Sequence, residues 1–346
     1  MQADEDGSSP LPGSLAFGLD DEPGIRRTGR RRFRYIDERS GRAVVDAGTL
    51  DRIARLAIPP AWQDVWISTD PNGHLQATGR DARRRKQYRY HPEFRAHQEE
   101  AKFDLLVPFG RQLPRLRRRV AADLGRPGLP LERVVALVVR LLEATNVRVG
   151  NEEYVRSNRS FGLTTLRDRH ATMEGTRLRL RFNGKGAKVH EVSITDRRLA
   201  RLVLRCQDLP GQVLFQHVDD EGSHPVRSTD VNDYLRAATG LDASAKVFRT
   251  WGATVLAAAG FAAAPTPSGP TEARRLTNAV LRPVAEEVHN TLTVCRQSYV
   301  HPRVVAIFQA GDFATEWAAT SARGSTWLTP DERRLLQLLE RHPSTA

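Results

Sequence analysis

The sequence predicts an α+β protein in two parts, a small N-terminal unit of short strands with one helix and a larger, mainly helical unit interrupted by a β-hairpin. Three observations lead there. The 346 residues are long for a single compact core. Short β-type runs punctuated by turn residues fill the stretch up to residue 78. From Lys102 onward apolar residues recur at helical spacing.

The first 24 residues or so are acidic and rich in Gly, Pro and Ser, a composition that predicts a disordered tail. Runs 33–36, 65–68 and 75–78 then read as strands, with turn signals at Ser40-Gly41 and at Pro71-Asn72-Gly73, so that 70–73 is a hairpin turn. Between them 49–57 reads as a short helix, stopped by Pro59-Pro60. The segment 131–144 sets apolar residues at 134, 135, 137, 138, 141 and 142, a wide buried stripe beginning after Pro130. Residues 176–182 alternate, 188–194 roughly alternate again, and Asn183-Gly184-Lys185-Gly186 lies between them as a turn, so Lys185 stands at a hairpin tip. Helices resume after Asp196, and 265–270 (Pro-Thr-Pro-Ser-Gly-Pro) reads as a stiff linker before a helix over 271–289 with a kink expected at Pro283. The last helix is announced by the capping box Thr329-Pro330-Asp331-Glu332. The domain reading is an acidic tail over 1–28, an N-terminal domain over 29–103 and a second domain over 104–346.

Composition narrows the function. No apolar run approaches the length of a membrane span, and the N-terminus lacks a basic start followed by an apolar stretch, so the expectation is a cytoplasmic protein with no membrane partner. Two cysteines, Cys206 and Cys295, stand far apart with no metal-ligand spacing, which argues against a disulfide framework or a zinc site and predicts inert thiols. The chain carries +12, six acidic residues and no basic one precede Arg26, so the remainder carries +18. Its arginines bunch within 26–34, 80–89 and 111–119. Such an excess points to a polyanionic partner, against the blander reading of solvated arginine faces.

Four residues stand where chemistry is possible. Arg148 follows the long helix in Asn146-Val-Arg-Val-Gly-Asn-Glu-Glu-Tyr154, Lys185 is flanked by glycines, Arg249 lies in Val247-Phe-Arg-Thr-Trp-Gly252, and Tyr299 in Cys295-Arg-Gln-Ser-Tyr-Val-His-Pro302. Singly, each has an ordinary reading as a surface ion-pair residue, a solvated turn lysine or a half-buried phenol. Gly184-Lys185 lacks the flanking residues of a P-loop, so nucleoside triphosphate binding there is not supported.

Together with the segment Arg80-Asp-Ala-Arg-Arg-Arg-Lys-Gln-Tyr-Arg-Tyr-His-Pro92, these motifs occur in the order and approximate spacing of poxvirus-like type IB DNA topoisomerases, particularly their bacterial members. The resemblance covers about residues 30–310. It implies a fold like that of tyrosine recombinases and topoisomerases IB: an N-terminal domain with an antiparallel sheet and a mainly α-helical catalytic domain with a small β-sheet. It implies duplex DNA as partner, a monomer clamping it in the nucleoid, and no cofactor or metal. By the same resemblance the active site falls on Arg148, Lys185, Arg249, Asn290 and Tyr299. Where the poxvirus enzymes have His, this chain has Asn290, with His289 just ahead as the rival contact. Asn donates an amide hydrogen bond but cannot titrate near neutral pH, which gives it a positioning role. In the N-terminal motif Gln87, Tyr88 and Tyr90 correspond to residues that contact the major groove, while Arg80, Arg83, Arg84, Arg85 and Lys86 suit phosphates. The alternative for the tyrosines is packing of a helix against the sheet.

The implied reaction is attack by the Tyr299 phenol on a phosphodiester, giving a 3′-phosphotyrosyl link and a free 5′-hydroxyl. Strand rotation and resealing by the reverse step follow, without ATP. Arg148, Arg249 and Asn290 would hold the phosphoryl oxygens, and Lys185 would protonate the leaving oxygen. Two other classes share part of this pattern. A tyrosine recombinase has related residues but usually a helical N-terminal region, and a non-catalytic basic DNA-binding protein needs only the charge.

Overall fold

The computed structural model describes residues 11, 13–29, 32–175, 177–324 and 326–343. Residues 1–10 and 12 of the expected acidic tail, Arg30 and Arg31 of the first arginine cluster, and Thr176 at the start of the expected hairpin lie outside the described residues. The chain divides into two compact units between Ala101 and Lys102.

The first unit is a five-stranded antiparallel sheet in the order β2-β1-β3-β4-β5, with β1 Ile25–Thr28, β2 Arg34–Asp37, β3 Gln63–Ile67, β4 Leu75–Arg80 and β5 Lys86–Tyr90. Helix α1 (Ala47–Arg55) starts where Asp46 accepts the Thr49 amide at 2.7 Å, and contributes Ile53 to a core with Ile25, Trp62, Val65, Ile67 and Ala77. The disordered tail expected over 1–28 includes β1, and the structure corrects this. Ile-Arg-Arg-Thr has only one apolar residue, but Arg27 replaces a second by laying its guanidinium 4.2 Å from the Phe33 ring and donating to the Trp62 carbonyl at 2.5 Å. The residues ahead of β1 also borrow partners from the sheet: His74 N–H donates to the Ala16 carbonyl at 2.8 Å and the Trp66 indole to the Glu22 carbonyl at 2.8 Å. Composition underestimates such a segment because it has no core of its own to form.

Helix α2 (Pro92–Asp104) leads into the second unit, where α3 (Leu106–Leu124) and α4 (Leu131–Thr145) supply the first layer of a large core. The predicted stripe of α4 is buried, and the helix ends where Asn146 adopts the left-handed conformation (φ 52°). After α5 (Glu152–Asn158) comes the three-stranded antiparallel sheet β6-β7-β8, with β6 Ala171–Glu174, β7 Arg177–Asn183 and β8 Val189–Ile194, so the predicted hairpin is present with one more strand beside it. Helix α6 (Arg197–Gln207), the ribbon β9 (Gln216–Asp219) with β10 (Gly222–Pro225), and α7 (Ser228–Thr239) precede the long pair α8 (Lys246–Ala263) and α9 (Pro270–Glu287). Helix α9 starts on Pro270 and runs as one element through Pro283. Helices α10 (Leu292–Ser298), α11 (Pro302–Ala310), α12 (Phe313–Ala318) and α13 (Pro330–Arg341) complete the unit. The capping box at Thr329 forms as expected, and its Glu332, also bound by Arg117 at 2.6 Å and the Trp251 indole at 3.1 Å, ties α13 to α3 and α8. Among the described residues no helix is long and apolar enough to cross a membrane.

Candidate active site

The site is built where α4 and α9 end against α8. Gly252 makes this approach possible, since a Cβ there would come within 2.6 Å of the Asn146 side-chain oxygen. One turn earlier on α8, Arg249 is 3% exposed. Its Nη1 donates to the Asn146 carbonyl and its Nη2 to the Val288 carbonyl at 2.6 Å, while Nε has no partner. No carboxylate pairs with it among the described residues. Burial lowers its pKa from the ordinary value, and the nearby Tyr299 opposes that shift.

Tyr299 caps the end of α10, with its ring 4.8 Å from the Arg249 guanidinium carbon. Thr254, five residues beyond Arg249 on the same helix, shares its hydroxyl proton between the Thr250 carbonyl and the Tyr299 carbonyl. Helix α8 thus fixes both ends of the tyrosine. Burial by itself would raise the phenol pKa, but Arg249 and Arg148, as charges and as hydrogen-bond donors, bring it below its ordinary value. Arg148 lies in the loop between α4 and α5, and its backbone carbonyl accepts the Leu163 amide at 2.9 Å.

Asn290 donates its Nδ2 to the Val288 carbonyl at 2.9 Å, the same oxygen that Arg249 uses. His289 takes the left-handed conformation (φ 51°), and its ring stands 3.9 Å from that of His190. His190 was not singled out from sequence. It faces Phe182 across β7 and β8, is 2% exposed, and has neither ring nitrogen hydrogen-bonded among the described residues. Burial, then His289, Arg148, Arg249 and Lys188, push its pKa down to about 4, so it is neutral at physiological pH. Gly184 accommodates this ring, since a Cβ there would lie 2.2 Å from the imidazole Nε2. The only sequence signal for His190 was its place on the inward side of an alternating strand.

The structure therefore brings Arg148, Arg249 and Tyr299 into one electrostatic cluster, with Asn290 on a shared carbonyl. It does not bring Lys185 there. Lys185 is exposed between β7 and β8 and, among the described residues, makes no hydrogen bond or ion pair with the other four. An acidified phenol beside a buried guanidinium that lacks a counter-ion can attack an electrophile and hold the oxyanion that forms.

In the first unit, the other candidates surround the edge strand β5. Asp81 organises the turn before it, accepting the Arg83 and Arg85 amides and pairing with the Arg85 guanidinium at 2.5 Å, which leaves Arg83 and Arg84 exposed at the tip. Arg80 lies 3.9 Å from Asp64, and Lys86 pairs with Asp20 at 2.7 Å. Tyr88 and Tyr90 stack at 6.0 Å on one face, and Tyr90 also meets Phe94 of α2 at 5.4 Å, as the packing alternative supposed. Strand alternation puts Gln87 on the other face, where it donates to Asp81 at 3.2 Å. Gln87 and the tyrosines are thus not brought together. Among the described residues no group of three or more His, Cys, Asp or Glu could hold a metal ion.

Comparison with known proteins assigns the class. Residues 91–319 match a family model described as eukaryotic DNA topoisomerase I, catalytic core, and residues 32–81 match one described as bacterial DNA topoisomerase IB, N-terminal domain. A DNA topoisomerase 1B of Acanthamoeba polyphaga mimivirus is 30% identical over 268 residues, covering 75% of this chain and 80% of that protein. The chain belongs to the type IB DNA topoisomerase family, with the bacterial kind of N-terminal domain. It is an isomerase that acts on DNA.

Proposed function

We propose that the protein relaxes supercoiled duplex DNA through a covalent 3′-phosphotyrosyl intermediate on Tyr299, using neither ATP nor an obligatory metal. The observation that carries this reading is Arg249, a buried cation with two backbone carbonyls and, among the described residues, an idle Nε–H and no carboxylate. A buried charge is costly unless an opposite charge meets it, and the phosphodiester supplies that charge.

In this mechanism the Tyr299 phenol loses its proton and attacks phosphorus in line, forming the O–P bond to tyrosine as the bond to the 5′-oxygen breaks. Arg249 and Arg148 hold the non-bridging oxygens. Asn290 uses one amide proton on Val288 and has the other for the phosphate, on the same carbonyl as Arg249. His289, kept below its ordinary pKa first by burial and next by Arg249, stays neutral and serves as packing against His190. Lys185 delivers a proton to the leaving 5′-oxygen, which requires its glycine-flanked tip to move onto bound DNA. The ester conserves the energy of the original bond, so after strand rotation the 5′-hydroxyl reverses the step with no nucleotide. One copy of the chain suffices, grasping the duplex in the nucleoid, with Arg83 and Arg84 on phosphates and Tyr88 at the groove.

The test is relaxation of supercoiled plasmid in chelator without ATP, with denaturant added to trap adduct. Wild-type protein relaxes the plasmid and yields a protein–DNA adduct, and Tyr299→Phe binds DNA but gives neither. Adduct persisting in Tyr299→Phe, or relaxation that depends on a nucleotide, overturns the proposal.

A further inference from the structure

A cavity of about 770 Å³ opens beside the β6-β7-β8 sheet, and none of the five proposed active-site residues lines it. Its lining holds five arginines, Arg159, Arg167, Arg169, Arg179 and Arg181, against one acid, Glu174. The arginines are not equivalent. Arg179 is clamped by Glu174 at 2.6 Å and Glu191 at 2.9 Å, and Arg181 lies 3.9 Å from Glu191. Arg159, Arg167 and Arg169 have no carboxylate at ion-pair distance among the described residues, although they line a common depression. Three like charges around a concavity reinforce one another's field, which an exposed flat face would dissipate into water.

The wall between them is built rather than incidental. His170 is 9% exposed, and its Nδ1 accepts the Arg167 amide at 3.0 Å, which leaves the proton of the neutral ring on Nε2 as a donor. Burial, then Arg169 and Arg167, push its pKa down to about 4, so this tautomer is the form present at neutral pH. The Phe161 ring stands edge-on to it at 4.5 Å. The volume lies within the usual range for small-ligand sites, roughly 300–1,000 Å³.

We propose that this cavity is a second anion site, which takes a ligand carrying several phosphates in a row on Arg159, Arg167 and Arg169. The phosphates come either from a free polyphosphate or from the backbone of a nucleic-acid strand. The assignment goes beyond the cleavage reaction and does not depend on it.

The experiment is calorimetric titration of the full chain at fixed salt with inorganic tripolyphosphate and, separately, a ten-nucleotide oligothymidylate. The proteins are wild type, the triple variant Arg159→Ala/Arg167→Ala/Arg169→Ala, the single variant Arg159→Glu, and Arg39→Ala/Arg42→Ala, at two exposed positions with no part in the proposed DNA contacts, as a control on the other unit. Tripolyphosphate is expected to bind once per chain, about tenfold or more weakly in the triple variant and several-fold more weakly in Arg159→Glu, whose position is exposed. The control should change less than about twofold, since its charges lie on other elements. If the oligonucleotide displaces tripolyphosphate with the same sensitivity to the variants, the site holds a strand backbone. If only tripolyphosphate responds, it holds a free polyphosphate. Absence of binding by either probe, or binding that the control weakens as much as the triple variant does, overturns the proposal.

Discussion

Replacing Arg249 by lysine separates the charge of this residue from its shape. The guanidinium spans two carbonyls, those of Asn146 and Val288, and keeps Nε–H unused beneath the tyrosine ring. Lysine keeps the charge but presents one compact ammonium, so one carbonyl loses its donor, at about 1–3 kcal/mol of stability. The cleavage step loses more, because the fork that would hold two phosphoryl oxygens is gone. Removing one such donor typically costs about 10²–10³ in rate. DNA affinity should change by less than about threefold, since the number of cations facing the duplex is unchanged. The assay is single-turnover cleavage of a duplex whose short leaving strand diffuses away, with DNA binding and urea unfolding measured on the same preparation. Cleavage within about tenfold of wild type, or a loss matched by the loss of folded protein, would refute the assigned role.

Three more expectations follow from particular residues. Lys185→Ala should slow cleavage of ordinary DNA, and a 5′-bridging sulfur substrate, whose leaving group needs no acid, should recover much of the rate; equal slowing of both substrates would make Lys185 a binding residue. His301 caps α11 by accepting the Arg303 amide at 3.1 Å, and burial holds it at about pKa 4. The unfolded chain therefore takes up this proton first, and stability falls as pH drops from about 6.5 towards 4, by about 2 kcal/mol at pH 5 for this one group. His301→Asn keeps a capping oxygen but cannot titrate, so its urea midpoint should shift less between pH 7 and pH 5 than that of wild type, and an identical shift would exclude this origin. Neutralising Arg83, Arg84 and Arg85 together should make the log–log salt dependence of DNA binding shallower by about 0.9 for each phosphate that the variant leaves to its counterions. The decrease should fall short of the full sum over three arginines, because Arg85 already pairs with Asp81. An unchanged slope with impaired cleavage would move the grip elsewhere.

What could be read from sequence divides along physical lines. The α4 stripe, the β7–β8 hairpin and the capping box at Thr329 were legible because each is written in local periodicity or turn chemistry. Strand β1 was not, because Arg27 fills an inward position through long-range bonds to Pro59 and Trp62. The separation of Gln87 from Tyr88 follows from β5 being a strand, which the basic composition of 80–89 concealed. His190 escaped notice because its significance comes from His289, about a hundred residues away, and no local pattern marks a buried imidazole without hydrogen bonds. Arg148, Arg249 and Tyr299 were found through ordered motifs, whereas their grouping depends on where α4 and α9 end.

Those two helix ends explain how a cation can be buried and yet remain available. Asn146 is the C-cap of α4 and Val288 the C-cap of α9, so both carbonyls that hold Arg249 are terminal acceptors left free by their helices. Each helix C-terminus carries roughly half a negative charge from its aligned peptide dipoles. Two of them stabilise the guanidinium about as well as a carboxylate would, but the compensating charge is fixed in the backbone and spread over several peptide groups. A carboxylate at this position would compete with the phosphodiester for the same donors and repel it. The peptide carbonyls occupy Nη1 and Nη2 and leave Nε–H without a partner among the described residues, while the guanidinium carbon stands 4.8 Å from the tyrosine ring. The same arrangement makes the site depend on Gly252, because α4 must end within contact of α8 for its last carbonyl to reach Arg249. Arg249 and Gly252 thus occur one turn apart in the same motif for one reason: the first needs the α4 terminus, and the second lets it in.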